Sequence, residues 1–221
     1  MQNVTDEVSN PFGMRPPCPH PCDGGDGRRA VMGFGDANAD VHVIGDHPGV
    51  HGGADTGVPF TGHPAGERVL DVLEATGFLD GRDGPEPALD DCYLSYRHCC
   101  CVPPGGTPTP EQYRDFERFF DAELRAVAAD VLVPVGEGAT RQVVETYTAK
   151  AHQLGDAMAE LHATEIRGRG FLVLPMREPA DWAVGDFEAM VDAVERLLAT
   201  DYRQLVDLGR FTADADPYFV R

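Results

Sequence analysis

The chain has 221 residues and carries 37 Asp plus Glu against 18 Lys plus Arg, a formal charge of −19, with Lys150 its only lysine. No apolar run reaches the about 18 residues a membrane helix needs, and the start lacks the basic and apolar regions of a secretory signal, so a cytoplasmic chain without membrane partners is expected. An acidic surface ordinarily argues against phosphate backbones, but lysine-poor acidic chains look like halophilic proteins of high-salt cytoplasm, where the Debye length shrinks to about 3 Å and the sign of the charge no longer excludes nucleic acid.

Residues 1–17 and 212–221 read as loosely ordered ends around one domain over 18–211, long enough to bury a large core. Cys18-Pro19-His20-Pro21-Cys22 comes first. Residues 41–44 read as a buried strand that delivers Asp46 into a loop rich in glycine and proline. Gly45, Gly49 and Gly57 suit sharp bends and close backbone approach, Pro48 and Pro59 stiffen the same turns, and Phe60 offers a flat apolar face beside the acid. Over 65–78, Val69, Leu70, Val72, Leu73 and Phe78 share a helical face. Residues 93–97 read as a second strand. Thr109 caps the next helix, with Pro110 in its first turn and Gln112 completing a capping box, and Phe116, Phe119, Phe120, Leu124 and Val127 form its apolar stripe. Strand-length runs follow at 131–135 and 171–174, and Phe187, Met190, Val191, Val194, Leu197 and Leu198 mark a last helix. Strands separated by helices imply a three-layer α/β/α sandwich around a mostly parallel central sheet. Ligands then lie beyond the carboxyl ends of the strands, where Asp46, Arg97, Gly136 and Glu178 fall.

Six cysteines in a chain expected in the cytoplasm read as metal ligands rather than disulfides. Three further motifs accompany Cys18 and Cys22: Gly45-Asp46-His47-Pro48-Gly49 with Gly57-Val58-Pro59-Phe60-Thr61-Gly62, Cys101-Val102-Pro103-Pro104 before the Thr109 helix start, and a strand ending in Gly136 with Ala139 behind it. Their order over about residues 18–200 resembles the iron–sulfur branch (families 4 and 5) of the uracil-DNA glycosylase superfamily.

That resemblance implies a role for each motif. In the family the acid of the first motif positions water and stabilises the sugar cation, which falls to Asp46, within the base-binding loop of Gly45, His47, Pro48 and Gly49. A Phe stacks on uracil, which falls to Phe60. An Asn on the second strand reads the base edge and a His near the last motif donates to the leaving uracil. Arg97 stands at the Asn position and Glu178 at the His position. Arginine only donates hydrogen bonds, and a carboxylate repels the developing uracil anion. Both side chains are expected to face the cleft that holds Asp46, and to pair.

The resemblance therefore implies a divergent DNA glycosylase, a monomer acting on DNA, that hydrolyses the N-glycosidic bond of a flipped uracil or other damaged base, with weak activity on uracil. The alternative is a non-catalytic protein of the same fold that binds a base, a single strand or a protein partner. The family's four cysteines hold a [4Fe-4S] cluster. Cys18, Cys22 and Cys101 fall on three of those positions and the fourth falls at about Phe116, so Cys100 is taken as the fourth ligand, with Cys99 and Cys92 as alternatives. A zinc site of His20, Cys18, Cys22 and Cys101 is the competing donor set. Trp182 sits where the resemblance places a DNA-intercalating loop, and serves equally well as a core anchor.

Overall fold

Two runs of apolar residues build the heart of the protein. In the computed structural model, which describes residues 8–22, 25–82, 86–150, 158–168 and 170–203, strands β3 (Val41–Gly45) and β6 (Cys92–Tyr96) are buried at every residue. Strands covered on both faces read as continuous apolar runs for this reason. β3 and β6 pair in parallel, with Val41 opposite Cys92 and Gly45 opposite Tyr96, so both end at the same level. β2 (Phe34–Gly35) pairs antiparallel with β6, and β1 (Val8–Ser9) pairs antiparallel with β2. The order in this part is β1-β2-β6-β3.

The crossover from β3 to β6 holds α1 (Pro48–His51), α2 (Pro64–Ala75) and the hairpin of β4 (Leu79–Gly81) with β5 (Ala88–Leu89). α2 buries Val69, Leu70, Val72 and Leu73. It stops short of the expected residue 78 because Gly77 turns left-handed at φ 81°, and Phe78 and Leu79 enter the hairpin instead. α3 (Pro110–Val127) starts at the expected capping box, formed by Thr109 and Gln112, and buries Phe116, Phe120, Leu124 and Val127. Phe119 turns partly outward against Phe116 and Arg118.

The chain falls into two compact units, Met1–Ala129 and Asp130–Arg221, both inside the span expected as one domain apart from its ends. In the second unit β7 (Val131–Pro134) pairs in parallel with β9 (Leu172–Val173), and β8 (Ile166–Arg167) closes the edge antiparallel to β9. α4 (Gly136–Tyr147) leaves directly from β7, with Gly136 at φ 81° making the bend, and α5 (Asp186–Leu198) buries Met190, Ala193, Val194 and Leu197. Parallel pairing at the heart, antiparallel strands at the edges and flanking helices give the expected α/β class with its mostly parallel central sheet. No described helix is long and apolar enough to cross a membrane.

Part of the N-terminal segment is fastened rather than loose. β1 joins the sheet, the Asn10 N–H donates to the Gly33 carbonyl at 2.9 Å, and Phe12 packs on Tyr93 with ring centroids 6.1 Å apart. Residues 1–7 and the tail 212–221 lie outside the described residues.

The core between α3 and the strands is not wholly apolar. The Tyr93 hydroxyl donates to Glu123 Oε1 at 2.9 Å, and His42 Nε2 lies 2.7 Å from Ser95 Oγ, all four side chains being buried. Gly33 lies against this group so closely that a Cβ there would overlap the Tyr93 hydroxyl and the Glu123 carboxylate.

Candidate active site and cysteine cluster

The register of β3 and β6 builds the site. Since Gly45 lies opposite Tyr96, the next residues, Asp46 and Arg97, leave the sheet side by side, locked by Arg97 N–H to Gly45 carbonyl at 2.9 Å and His98 N–H to Asp46 carbonyl at 3.1 Å. Arg97 Nε stands 3.7 Å from Asp46 Oδ1, with the Asp46 side chain 25% and the Arg97 side chain 15% exposed. The expected approach of Arg97 to Asp46 is therefore present, and Asp46 is its ion-pair partner. A third residue completes the group. Tyr113, in the first turn of α3, donates its hydroxyl to Asp46 Oδ1 at 2.7 Å, and the Arg97 guanidinium lies 3.9 Å above the Tyr113 ring centroid. Burial, and then the charge of Asp46, push the Tyr113 phenol far above its ordinary range, so it stays a donor.

Tyr113 was absent from the residues named on sequence grounds, though a signal exists. Tyr113, Phe116, Phe120, Leu124 and Val127 follow a helical spacing, so Tyr113 extends the buried stripe of α3 by one turn toward the carboxyl edge of the strands. His98 is buried beside it, its ring 5.5 Å from Tyr113 and 5.3 Å from Phe116. Burial lowers the His98 pKa to about 4, which keeps the ring neutral.

The loop residues expected to bind a base divide into packing and surface. A Cβ on Gly45 would lie 2.6 Å from the Tyr96 ring and 2.9 Å from His51 Nδ1, so this glycine serves close packing. His47 is buried and caps α1, its Nδ1 accepting from the Gly49 N–H at 3.1 Å, and Pro48 is buried in the first turn. His51 Nδ1 accepts from the Asp46 N–H at 3.1 Å, which fixes the backbone of the acid. Gly49 is exposed, at a cleft lined also by Gly52, His63, Pro103 and Pro104. Phe60, expected to offer a flat apolar face for stacking, is fully buried, between His51 and Tyr96 at 5.7 and 5.3 Å, and its N–H donates to the Tyr96 hydroxyl at 2.8 Å. It holds φ at 66°, a conformation that costs a non-glycine residue roughly 1–2 kcal/mol and persists only where its surroundings enforce it.

Glu178 belongs to the second unit. It lines a cleft with Gly136, Thr140, Arg177 and Asp181, and its carboxylate accepts from the Ala180 N–H at 3.5 Å as the cap of the 3₁₀ turn Pro179–Asp181. Beside it Arg177 pairs with Asp186 at 2.9 Å. Trp182 is an anchor: its Nε1–H donates to the Arg177 carbonyl at 3.0 Å and its ring packs near His162 and Phe187, while Val184 is the fully exposed apolar residue of that loop.

The two cysteine segments lie side by side. Cys22 N–H donates to the Arg28 carbonyl, Cys101 N–H to the Arg29 carbonyl and Val31 N–H to the Cys99 carbonyl, so a short ladder sets residues 28–31 along 99–101. Cys18 is joined to Cys100 and Cys22 to Cys101, both pairs with Cα atoms 5.2 Å apart. The expectation of free thiolate ligands is corrected to this extent: the four sulfurs are paired two and two, as disulfides. The Cys99 sulfur lies within 4.8 Å of those of Cys18 and Cys100. As a donor set, the buried sulfurs of Cys18, Cys99 and Cys100 suit a soft metal in their reduced form. His20 is exposed, and it lies outside that sulfur group together with Cys22 and Cys101. Cys92 is a buried free thiol within β6.

Fold and site together define an α/β protein that holds a solvent-reached acid at the carboxyl edge of parallel strands, where such folds handle their ligands. A family model described as the uracil DNA glycosylase superfamily matches residues 32–199, and the chain belongs to that superfamily. It is similar to proteins named type-5 uracil-DNA glycosylase, in agreement with the iron–sulfur branch expected from the motifs. The protein of Thermus thermophilus is 36% identical over 99 residues, 43% of this chain and 45% of that protein. That of Pyrobaculum aerophilum is 28% identical over 176 residues, 77% of this chain and 74% of that protein. That of Mycobacterium bovis is 28% identical over 116 residues, 50% of this chain and 42% of that protein. The chain thus spans under half the length of two of these relatives.

Proposed function

We propose that the protein is a divergent DNA glycosylase that hydrolyses the N-glycosidic bond of a uracil or other damaged base flipped out of DNA. The observation that carries this reading is Asp46: it stands in the first motif of the superfamily, at the end of a parallel strand, partly reached by solvent and held by the part-buried Tyr113 hydroxyl. A carboxylate so placed can orient a water and stabilise a sugar cation as the bond breaks. Glu178 is the second acidic member of the set by its place in the last motif. Arg97 brings a cation to the base-reading position, where its buried Nε makes no hydrogen bond among the described residues.

Cys18, Cys22, Cys100 and Cys101 would hold a [4Fe-4S] cluster. Bound, it supplies iron–thiolate bonds that tie the two cysteine segments together. DNA is the partner that this reading requires. With a net charge of −19, this reading has DNA bound at high ionic strength, where surface repulsion is screened.

A second reading, a glycosylase-fold protein that binds without catalysis, draws support from three residues. Phe60 has no open face, Arg97 cannot accept from a uracil N–H, and Glu178 would repel the leaving anion. The test is base excision from single- and double-stranded oligonucleotides carrying uracil or other deaminated bases, at low and molar salt, with Asp46→Ala as control. Excision well above the control, and slower on uracil than on its best substrate, is expected. Activity equal to the control on every substrate would reject the catalytic reading and favour the binding one.

A further inference from the structure

Tyr113 stands against the candidate catalytic acid with no function assigned by motif or family. Its hydroxyl donates to Asp46 Oδ1 at 2.7 Å, and Arg97 Nε faces the same oxygen at 3.7 Å. Among the described residues Asp46 Oδ2 takes no hydrogen bond. We infer that Tyr113 is a positioning residue: by anchoring Oδ1 it leaves Oδ2 as the oxygen that orients the attacking water, and by carrying Arg97 on its ring it keeps that cation from capping the carboxylate. This inference rests on the reading of the protein as a glycosylase.

Three physical points support it. The terminal torsion of an aspartate is broad and roughly two-fold, so an unanchored carboxylate exchanges its oxygens and aims at a water only part of the time. The 3.7 Å separation of Arg97 Nε from Oδ1 exceeds hydrogen-bond distance, although guanidinium and carboxylate left to themselves close into a bidentate pair. The 3.9 Å stacking of the guanidinium on the Tyr113 ring is what opposes that closure. The phenol, held protonated by burial and by Asp46, donates at any working pH.

The experiment compares wild type, Asp46→Ala, Tyr113→Phe, Tyr113→Ala and Thr109→Ala in single-turnover excision, with DNA affinity by fluorescence anisotropy and unfolding midpoints alongside. Tyr113→Phe keeps the ring and loses the anchor, so its rate is expected to fall about 10–100-fold with affinity unchanged, the scale on which small misplacements act. Tyr113→Ala also frees Arg97 and is expected to fall toward Asp46→Ala. Thr109→Ala loosens the same helix end without touching Asp46, and is expected to keep most of its rate. A Tyr113→Phe rate equal to wild type, or a loss that Thr109→Ala reproduces, overturns the positioning role while the glycosylase reading stands. Wild type equal to Asp46→Ala on every substrate overturns the glycosylase reading and this inference with it.

Discussion

A carboxyl group buried without a counter-charge titrates late, and Glu123 is such a group. Burial pushes its pKa up to about 7 from an ordinary 4.5, while hydrogen bonds from Tyr93 and Ser95 pull in the opposite direction. Between those values the folded protein keeps a proton that the unfolded chain has released. The resulting stabilisation is full below pH 4.5 and is lost as pH rises through about 7. His42 and His98 act the other way. Burial lowers them to about 3 and about 4 from 6.5, so their contribution is present above 6.5 and is lost as pH falls toward those values. Glu123→Gln keeps the shape of the neutral carboxyl and isolates the first effect. Urea unfolding is expected to show it near neutral in effect at pH 5 and stabilising by about 1–3 kcal/mol at pH 8, at about 1.4 kcal/mol per pKa unit. An equal difference at both pH values would refute the assignment. Gly33→Ala drives a methyl into the Tyr93–Glu123 pair and should destabilise by about 1–3 kcal/mol, the usual cost of overpacking, in the same assay. Asp46 and Phe60 stand out in the sequence because local turn chemistry surrounds them with glycine and proline. Tyr113 and Glu123 do not, since their partners lie 67 and 30 residues away.

Among the elements, α3 was the most legible, its capping box, proline and apolar stripe all lying within one stretch of chain. Thr109→Ala removes the cap bond to the Gln112 N–H and is expected to cost about 1 kcal/mol, measured by thermal or urea unfolding. The short strands were less legible: the run at 171–174 pairs only at Leu172 and Val173, because strand length is set by neighbours rather than by apolar content. The cysteine segment was legible in its members and not in its chemistry. Protein purified anaerobically and supplied with ferrous iron and sulfide is expected to bind both, and Cys18→Ser to lose them. A chain that instead keeps two disulfides would bind no iron and would show two free thiols on denaturation, Cys92 and Cys99.

At the scale of the whole molecule, charge dominates. With −19 spread over a surface holding one lysine, repulsion opposes the compact state until salt screens it. The unfolding midpoint is expected to rise by several degrees between about 0.1 and about 2 M KCl, whereas a neutral-surface protein shows little screening effect. A flat midpoint would remove the high-salt reading. The sequence by itself determined the α/β class, the succession of strands and capped helices, the superfamily through its spaced motifs, and the acidic loop at Asp46. All of these rest on interactions between residues near each other in the chain, or on patterns with a fixed period. Only the tertiary structure decided that Arg97 pairs with Asp46, that Tyr113 anchors that acid, that Phe60 is sealed between His51 and Tyr96, and that Cys18 and Cys22 meet Cys100 and Cys101. Each of those depends on the register of β3 against β6 and on where α3 crosses their ends, and register is a property of paired strands that neither strand carries alone.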